Sequence, residues 1–244
     1  MDSASSSSAV ETTVPTGNHA NTEENILGPS LLDVMQKMGL STLKATYFSR
    51  SAFVARLHET LVGQDCTKRI QEFFATTLQK LECDASGLVL IQDTSVCVFL
   101  ESTSAQFTDF CAELRSFSAL TDVKIIATCD DNATRLMKSL YFKKLSITKP
   151  VDDADELQVA KDVFFNLITL MRRLGATPAT AIKKALATPS NSDLQLMPSN
   201  EVVTFLAKRD ALMTLDEFHD IYKAPISIEL ESERVWPIHP LFTY

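Results

Sequence analysis

The residue types that most often carry catalysis or hold metals are scattered along this chain. Its histidines are His19, His58, His219 and His239. His58 is followed by Glu59, and a His–Glu pair at a strand end has the chemistry of a general base. A polar strand terminus facing water has the same sequence. His219 stands in DEFHDIY among Asp216, Glu217 and Asp220; that offers metal ligands, or a solvated helix face. The acidic run at 152–156 lacks the glycine and the terminal bidentate glutamate of an EF-hand loop. It fits better as the negative N-terminal end of a helix. G-x-S-x-G, Walker, G-x-G-x-x-G and H-E-x-x-H patterns are absent, and with six glycines a phosphate-cradling loop has little material. The expectation is no enzyme, no metal and no cofactor.

The five cysteines, Cys66, Cys83, Cys97, Cys111 and Cys129, are odd in number, widely spaced and form no C-x-x-C pair. That pattern suits reduced thiols rather than a disulfide framework or a zinc site. Cys97, Cys111 and Cys129 sit in apolar runs, where a thiol behaves as a small core residue.

The positioning elements follow from hydrophobic periodicity. The 244 residues are 45% hydrophobic and 22% charged, ordinary globular values, with a net charge of −8. Such acidity argues against nucleic acid or an anionic membrane as partner. No run reaches a membrane span, and the acidic, apolar-poor start does not read as a secretory or mitochondrial leader; a cytoplasmic location is expected. Residues 1–29, rich in Ser, Thr and Asn, read as disordered. A short helix starts at Ser30 and ends at Gly39, within a helix-and-linker segment at 30–50.

From there AFVARL (52–57) reads as a strand and CTKRIQEFFATTLQKL (66–81) as a helix. GLVLIQ (87–92) and SVCVFLES (95–102) are strands separated by Asp93 and Thr94, a hairpin-length connection. A helix follows at 105–117, with Phe107, Phe110, Cys111 and Leu114 on one stripe and Ser104 or Thr103 as cap. VKIIATC (123–129) is a strand, 133–140 a short helical piece and YFKKLSI (141–147) a fifth strand. The order β-α-β-β-α-β, then one more strand, is the ferredoxin-like arrangement of an α+β domain over 51–150. A helical extension occupies 151–223: a long helix at 156–174 closed by Gly175, a short one over TPATAIKKALA, and two more. Ser199 with Val202 and Thr214 with Glu217 offer their caps. Wrapping of these helices on the sheet is favoured over a separate domain. A tail at 224–244 reads as extended.

Two runs, ASGLVLIQDTSVCVFLES (85–102) and VKIIATCDDNATRLMKSLYFKKLSI (123–147), resemble BLUF domains, ferredoxin-like blue-light sensors that use flavin. Gly87, Leu88, Leu90, Leu100 and Glu101 fall on that skeleton. The G-L-x-L-I and L-E-S phrasing is closer to the testis-expressed protein 47 family, BLUF-like proteins of ciliated organisms. The resemblance implies a structural or adaptor role in the axoneme of cilia or flagella, with axonemal or microtubule-associated partners. It also implies where flavin chemistry would sit: a first-strand Tyr, an amide pair ending the first helix and a third-strand Gln. Those positions here fall near Arg56, at Gln79 and Lys80, and at Val98, so flavin photochemistry is expected to be absent. Acylphosphatase chemistry, another use of the fold, fails because ETLVGQDC after the first strand has no Arg. A ligand-binding sensor of BLUF type, for flavin or nucleotide, remains the alternative function.

Two surface features stand out. Arg135, Lys138, Lys143, Lys144 and Lys149 occupy a stretch without acids between Asp131 and Asp152. They read equally as a dock for an acidic partner, such as a tubulin surface, or as lysines guarding an edge strand. Trp236, the only tryptophan, stands between Val235 and Pro237 in the tail, where it packs on its own domain or grips a neighbour. Arg135, Lys138, Lys143, Lys144 and Trp236 are the expected partner-binding residues.

Overall fold

A computed structural model describes residues 47–62, 65–150 and 155–223. All lie in the second of two units into which the chain divides, Ala45–Tyr244. The expected N-terminal disorder, the helix from Ser30, the extended tail and Trp236 lie outside the described residues.

The elements run β1 (Phe48–Leu57), a 3-10 turn (Glu59–Leu61), α1 (Thr67–Lys80), β2 (Ser86–Ile91), β3 (Ser95–Ser102), α2 (Ser104–Leu114), β4 (Leu120–Asn132) and β5 (Leu140–Lys144). The extension adds α3 (Glu156–Gly175), α4 (Ala179–Ala187), α5 (Asn191–Leu196), α6 (Asn200–Ala207), β6 (Met213–Thr214) and α7 (Leu215–Lys223). The sheet order is β5-β2-β3-β1-β4-β6. Its centre, β2-β3-β1-β4, is all antiparallel. With the two β-α-β crossovers this is the ferredoxin-like topology. β5 adds to β2 in parallel, with Val89 opposite Phe142.

Every residue of β2 and β3 is buried, because both sheet faces are covered. Alternation divides the side chains. Phe53, Ala55, Val89, Ile91, Val96, Val98 and Leu100 meet Ile70 and Phe74 of α1 and Phe107, Phe110 and Leu114 of α2, and this side is called the first face. Ala52, Val54, Leu88, Leu90, Cys97 and Phe99 meet α3, α4 and α6 through residues such as Leu167, Leu170, Met171, Ile182 and Val203. The extension therefore covers the second face. After β6 pairs with Lys124 and Ile125 of β4, α7 returns to the first face, where Phe218 meets Phe107 edge-on at 5.5 Å.

Local rules place the helix starts. Thr103 and Gln106 form a capping box on α2, Asp155 accepts from Leu157 N–H at α3, and Ser199 accepts from Val202 N–H at α6. Thr214 N–H donates to Glu217 Oε2 at 2.8 Å and Glu217 N–H to Thr214 Oγ1 at 3.2 Å, fixing α7. Two glycines are required by close approach. Gly87 has φ +140°, and a Cβ there would stand 2.0 Å from the Phe99 carbonyl oxygen. Gly175 ends α3 against the β4–β5 connection, where a Cβ would meet the Leu136 carbonyl oxygen at 1.9 Å.

Several expectations need correction. The stretch 133–140 is not helical: 133–139 form an irregular connection and Leu140 begins β5, with the N–H groups of Leu136 and Met137 engaged by a buried carboxylate described below. β1 starts at Phe48 rather than at 52: Ser49, Arg50 and Ser51 look like loop residues yet are strand residues whose polar groups find partners. β4 is longer than its apolar run, β5 ends at Lys144, and α5 and β6 are additional elements. Cys129 is exposed, not core, while Cys66, Cys83, Cys97 and Cys111 are buried.

Candidate functional site

The flavin contacts that the resemblance implied lie on the sheet and at the end of the first helix, beside the space between α1 and α2 on the first face. That space is occupied by phenyl rings. Phe73 of α1 stacks on Phe117 at 3.9 Å with planes 10° apart, Phe74 meets Phe110 of α2 at 5.1 Å, and Phe53 of the sheet floor lies 6.4 Å from Phe110. Lys80 Nζ then ties the end of α1 to Glu113 of α2 at 2.8 Å. The four positions that the resemblance singled out are not brought together around an open space. Val98 is fully buried in the apolar packing, Gln79 and Lys80 are exposed, and the Arg56 guanidinium is paired with Asp122. The residues present do not fit a flavin ring at this place.

The most elaborate polar arrangement is Glu101 of β3, whose side chain is wholly buried on the second face. Arg50 Nε donates to its Oε1 at 3.0 Å and Ser86 Oγ to its Oε2 at 3.3 Å. Leu136 N–H donates at 2.9 Å to each oxygen, and Met137 N–H at 2.9 Å to Oε2. The Arg50 guanidinium completes its fork on Asn132 Oδ1 at 2.6 Å and the Thr134 carbonyl at 2.9 Å. A buried carboxylate needs this density of donors to offset its desolvation. Here the donors belong to the β4–β5 connection, so the arrangement anchors that connection to the sheet. The L-E-S phrase carried this signal, although sequence reading assigned the glutamate no role.

A second, neutral network docks the extension. Gln92 Nε2 donates to the Pro198 carbonyl at 2.6 Å. Asn200 Oδ1 accepts from Thr94 N–H at 3.2 Å and from the Ser95 hydroxyl at 2.9 Å. The β2–β3 turn and the start of α6 are thereby held as one.

The sequence-expected partner residues separate. Arg135 is largely inward: its guanidinium pairs with Asp84 at 3.1 Å, donates to the Asp84 carbonyl and lies over the Phe48 ring at 4.4 Å. Its guanidinium is thus engaged within the chain, unlike that of an isolated surface cation. Lys138 and Lys144 are exposed; Lys144 approaches Asp65 at 3.3 Å. Lys143 Nζ donates to the Ala187 carbonyl at 3.3 Å. Lys143 and Lys144 stand on β5, at one end of the sheet.

The two described histidines make local contacts. His58 Nδ1 accepts from Thr60 N–H at 3.3 Å and caps the 3-10 turn. His219 sits part-exposed with Asp220 Oδ1 at 3.7 Å. Among the described residues no group of three or more His, Cys, Asp and Glu is placed to hold a metal ion, and no helix is long and apolar enough to cross a membrane. Burial pushes the Cys83 thiol up to about 11 and the Cys97 thiol up to about 12, so neither is an activated nucleophile.

One cleft of about 450 Å³ lies between the β1–β4 end of the sheet and the extension, with Arg56, Arg115, Lys124 and Lys208 facing Asp122, Asp210 and Asp216. Arg115 is paired with Asp216 at 2.6 Å, and Lys124 Nζ donates to the Leu212 carbonyl at 3.3 Å. Another of about 450 Å³ runs beside β5, between α1 and α4.

Solved structures similar to this chain include BlrB, a BLUF protein in its dark state, at 10% identity, TM-score 0.35, covering 67% of this chain and 97% of that one. BlsA in its photo-activated state is similar at 8% identity and TM-score 0.36, covering 67% and 96%. Klebsiella pneumoniae BlrP1 with FMN and cyclic diGMP is similar at 15% identity and TM-score 0.30, covering 36% of this chain. The likeness spans only 22% of that BlrP1 chain. A family model for testis-expressed protein 47 matches residues 47–224, from the start of β1 through α7. The chain belongs to the testis-expressed protein 47 family.

Proposed function

We propose that this protein is a non-enzymatic structural or adaptor protein, an axonemal component of cilia or flagella that works through protein–protein contacts. Its partners on this reading are other axonemal or microtubule-associated proteins, and its place is the cytoplasm and the ciliary axoneme. The carrying observation is the phenyl packing between α1 and α2, Phe73 on Phe117 and Phe74 on Phe110, which occupies the space beside the flavin contacts that the resemblance implied. Membership of a family named for testis expression supports the flagellar part. With both sheet faces covered, the outer surfaces and sheet ends remain as working parts. Retention of a tagged full-length chain in detergent-extracted axonemes tests the reading; full release with the soluble matrix overturns it.

A second reading, a ligand-binding sensor of BLUF type for flavin or nucleotide, rests on the cleft that Arg56, Arg115, Lys124 and Lys208 line together with Asp122, Asp210 and Asp216. A rise in melting temperature on adding nucleotide, abolished by Lys124→Met, supports it. No shift across nucleotides and flavins removes it.

A further inference from the structure

The two ends of the sheet are finished differently. At one end β6 pairs with β4. At the other, β5 has β2 on its inner side, and no described strand pairs with its outer side. The direction of its backbone groups follows from two hydrogen bonds. Gly87 N–H donates to the Ser139 carbonyl and Leu145 N–H to the Ile91 carbonyl. In the parallel register that pairs Gly87 with Leu140 and Ile91 with Lys144, Tyr141, Lys143 and Leu145 are then the residues that turn N–H and C=O toward β2. Leu140, Phe142 and Lys144 turn theirs outward, a ready template for a further strand.

That template lies in a groove. Gln71 of α1 forms one wall, and Lys183, Leu186 and Ala187 of α4 form the other, enclosing about 450 Å³ along Leu140–Lys143. The walls differ in chemistry. The α1 side presents the half-buried Leu140 and Phe142, the latter edge-on to Phe74 at 5.8 Å. The α4 side presents Lys143 and Lys183. Lys183 is exposed, and neither lysine has a carboxylate partner among the described residues. No acid lines the groove among the described residues, and Asp65, which approaches β5, is paired with Lys144 at 3.3 Å.

We propose that the outer edge of β5 is a docking site for an extended segment of a partner protein in which acidic and apolar residues alternate. The segment adds as a strand on the N–H and C=O groups of Leu140, Phe142 and Lys144. Its acidic side chains face Lys143 and Lys183, and its apolar ones face Leu140 and Phe142. Backbone pairing supplies the grip and the alternating side chains supply selectivity, while the lysines that keep an edge from pairing at random steer an acidic strand toward it. The site rests on the adaptor reading above and names the chemistry of one partner.

The test uses the full-length chain and a fluorescent peptide of about ten residues alternating glutamate and valine, read by anisotropy. A lysine–valine peptide serves as control. Lys144→Pro removes one outward N–H without touching the pairing to β2; Lys183→Glu reverses a charge on an exposed helix position and leaves the strand intact. The proposal expects saturable binding of the acidic peptide, none of the control, and affinity losses of roughly tenfold or more in each variant whose melting curve is unchanged. Equal affinity for both peptides overturns it, as does binding indifferent to both variants. Binding that appears only when Ile226, Ile228 and Leu230 are changed to serine also overturns it, by giving the edge to the chain's own C-terminal segment. Axonemal retention is read separately: a full-length chain that stays in the axoneme but ignores the peptide keeps the adaptor reading and loses this site.

Discussion

The two faces of the sheet are both buried, but by different chemistry. The first is closed by α1 and α2 with a cluster of phenyl rings, Phe53, Phe74, Phe107 and Phe110. The second is closed by the extension with mainly aliphatic side chains, Leu167, Leu170, Met171 and Val203, around one phenyl pair, Phe99 and Phe164, and carries a buried carboxylate, Glu101, beside Arg50. The first face shows a helix pair whose intervening space has been filled from within. On the second, a sheet surface left bare by β-α-β-β-α-β is covered by added chain and pinned by hydrogen bonds. Both faces of the sheet are covered by packed side chains, which is why the proposed partner contacts lie at an edge.

The largest expected effect is on the second face. Glu101→Ala strands the part-buried Arg50 Nε–H and the N–H groups of Leu136 and Met137. It should cost about 3–5 kcal/mol in urea unfolding, as for other broken buried pairs. A cost under about 1 kcal/mol would mean that the connection is held by packing instead. On the first face, Phe110→Ala should also lose about 3–5 kcal/mol, and the ring-sized cavity should bind benzene with a rise in melting temperature. Leu170→Ala on the second face should cost about 2–5 kcal/mol without an aromatic guest restoring it. Equal rescue of both variants by benzene would erase the distinction between the faces.

Smaller effects sharpen the picture. Asn200→Ala removes the acceptor for Thr94 N–H and the Ser95 hydroxyl, an expected loss of about 1–3 kcal/mol. It should loosen α6 ahead of α1 in hydrogen exchange. Smallest, thiol labelling near neutral pH should find Cys129 at once and the other four only on unfolding. Burial raises Cys97 to about 12 and Cys83 to about 11, keeping both protonated there. Rapid labelling of Cys97 would show that the second face opens.

Much of this was legible in the sequence where burial is two-sided. GLVLIQ and SVCVFLES read as strands because apolar runs bounded by turn residues have few other uses, and α1 and α2 announced themselves by phenylalanine spacing. What hid was polar structure with distant partners. Ser49, Arg50 and Ser51 resemble loop, and their strand character depends on Glu101, fifty-one positions from Arg50. The stretch 133–140 looks helical by composition, yet the N–H groups of Leu136 and Met137 go to that same carboxylate. Cys129 sits in an apolar run but lies where β4 runs out of cover. The basic cluster was visible as charge alone. Only the strand order shows that Lys143 and Lys144 lie on an edge and that Arg135 turns inward.

The central claim is that the interhelical space of the first face belongs to the protein's own side chains. Titrating the purified full-length chain with FMN, and following visible flavin absorbance after gel filtration together with the melting temperature, tests this most directly. The account predicts a colourless protein and an unchanged melting curve; stoichiometric flavin retained through gel filtration would contradict it.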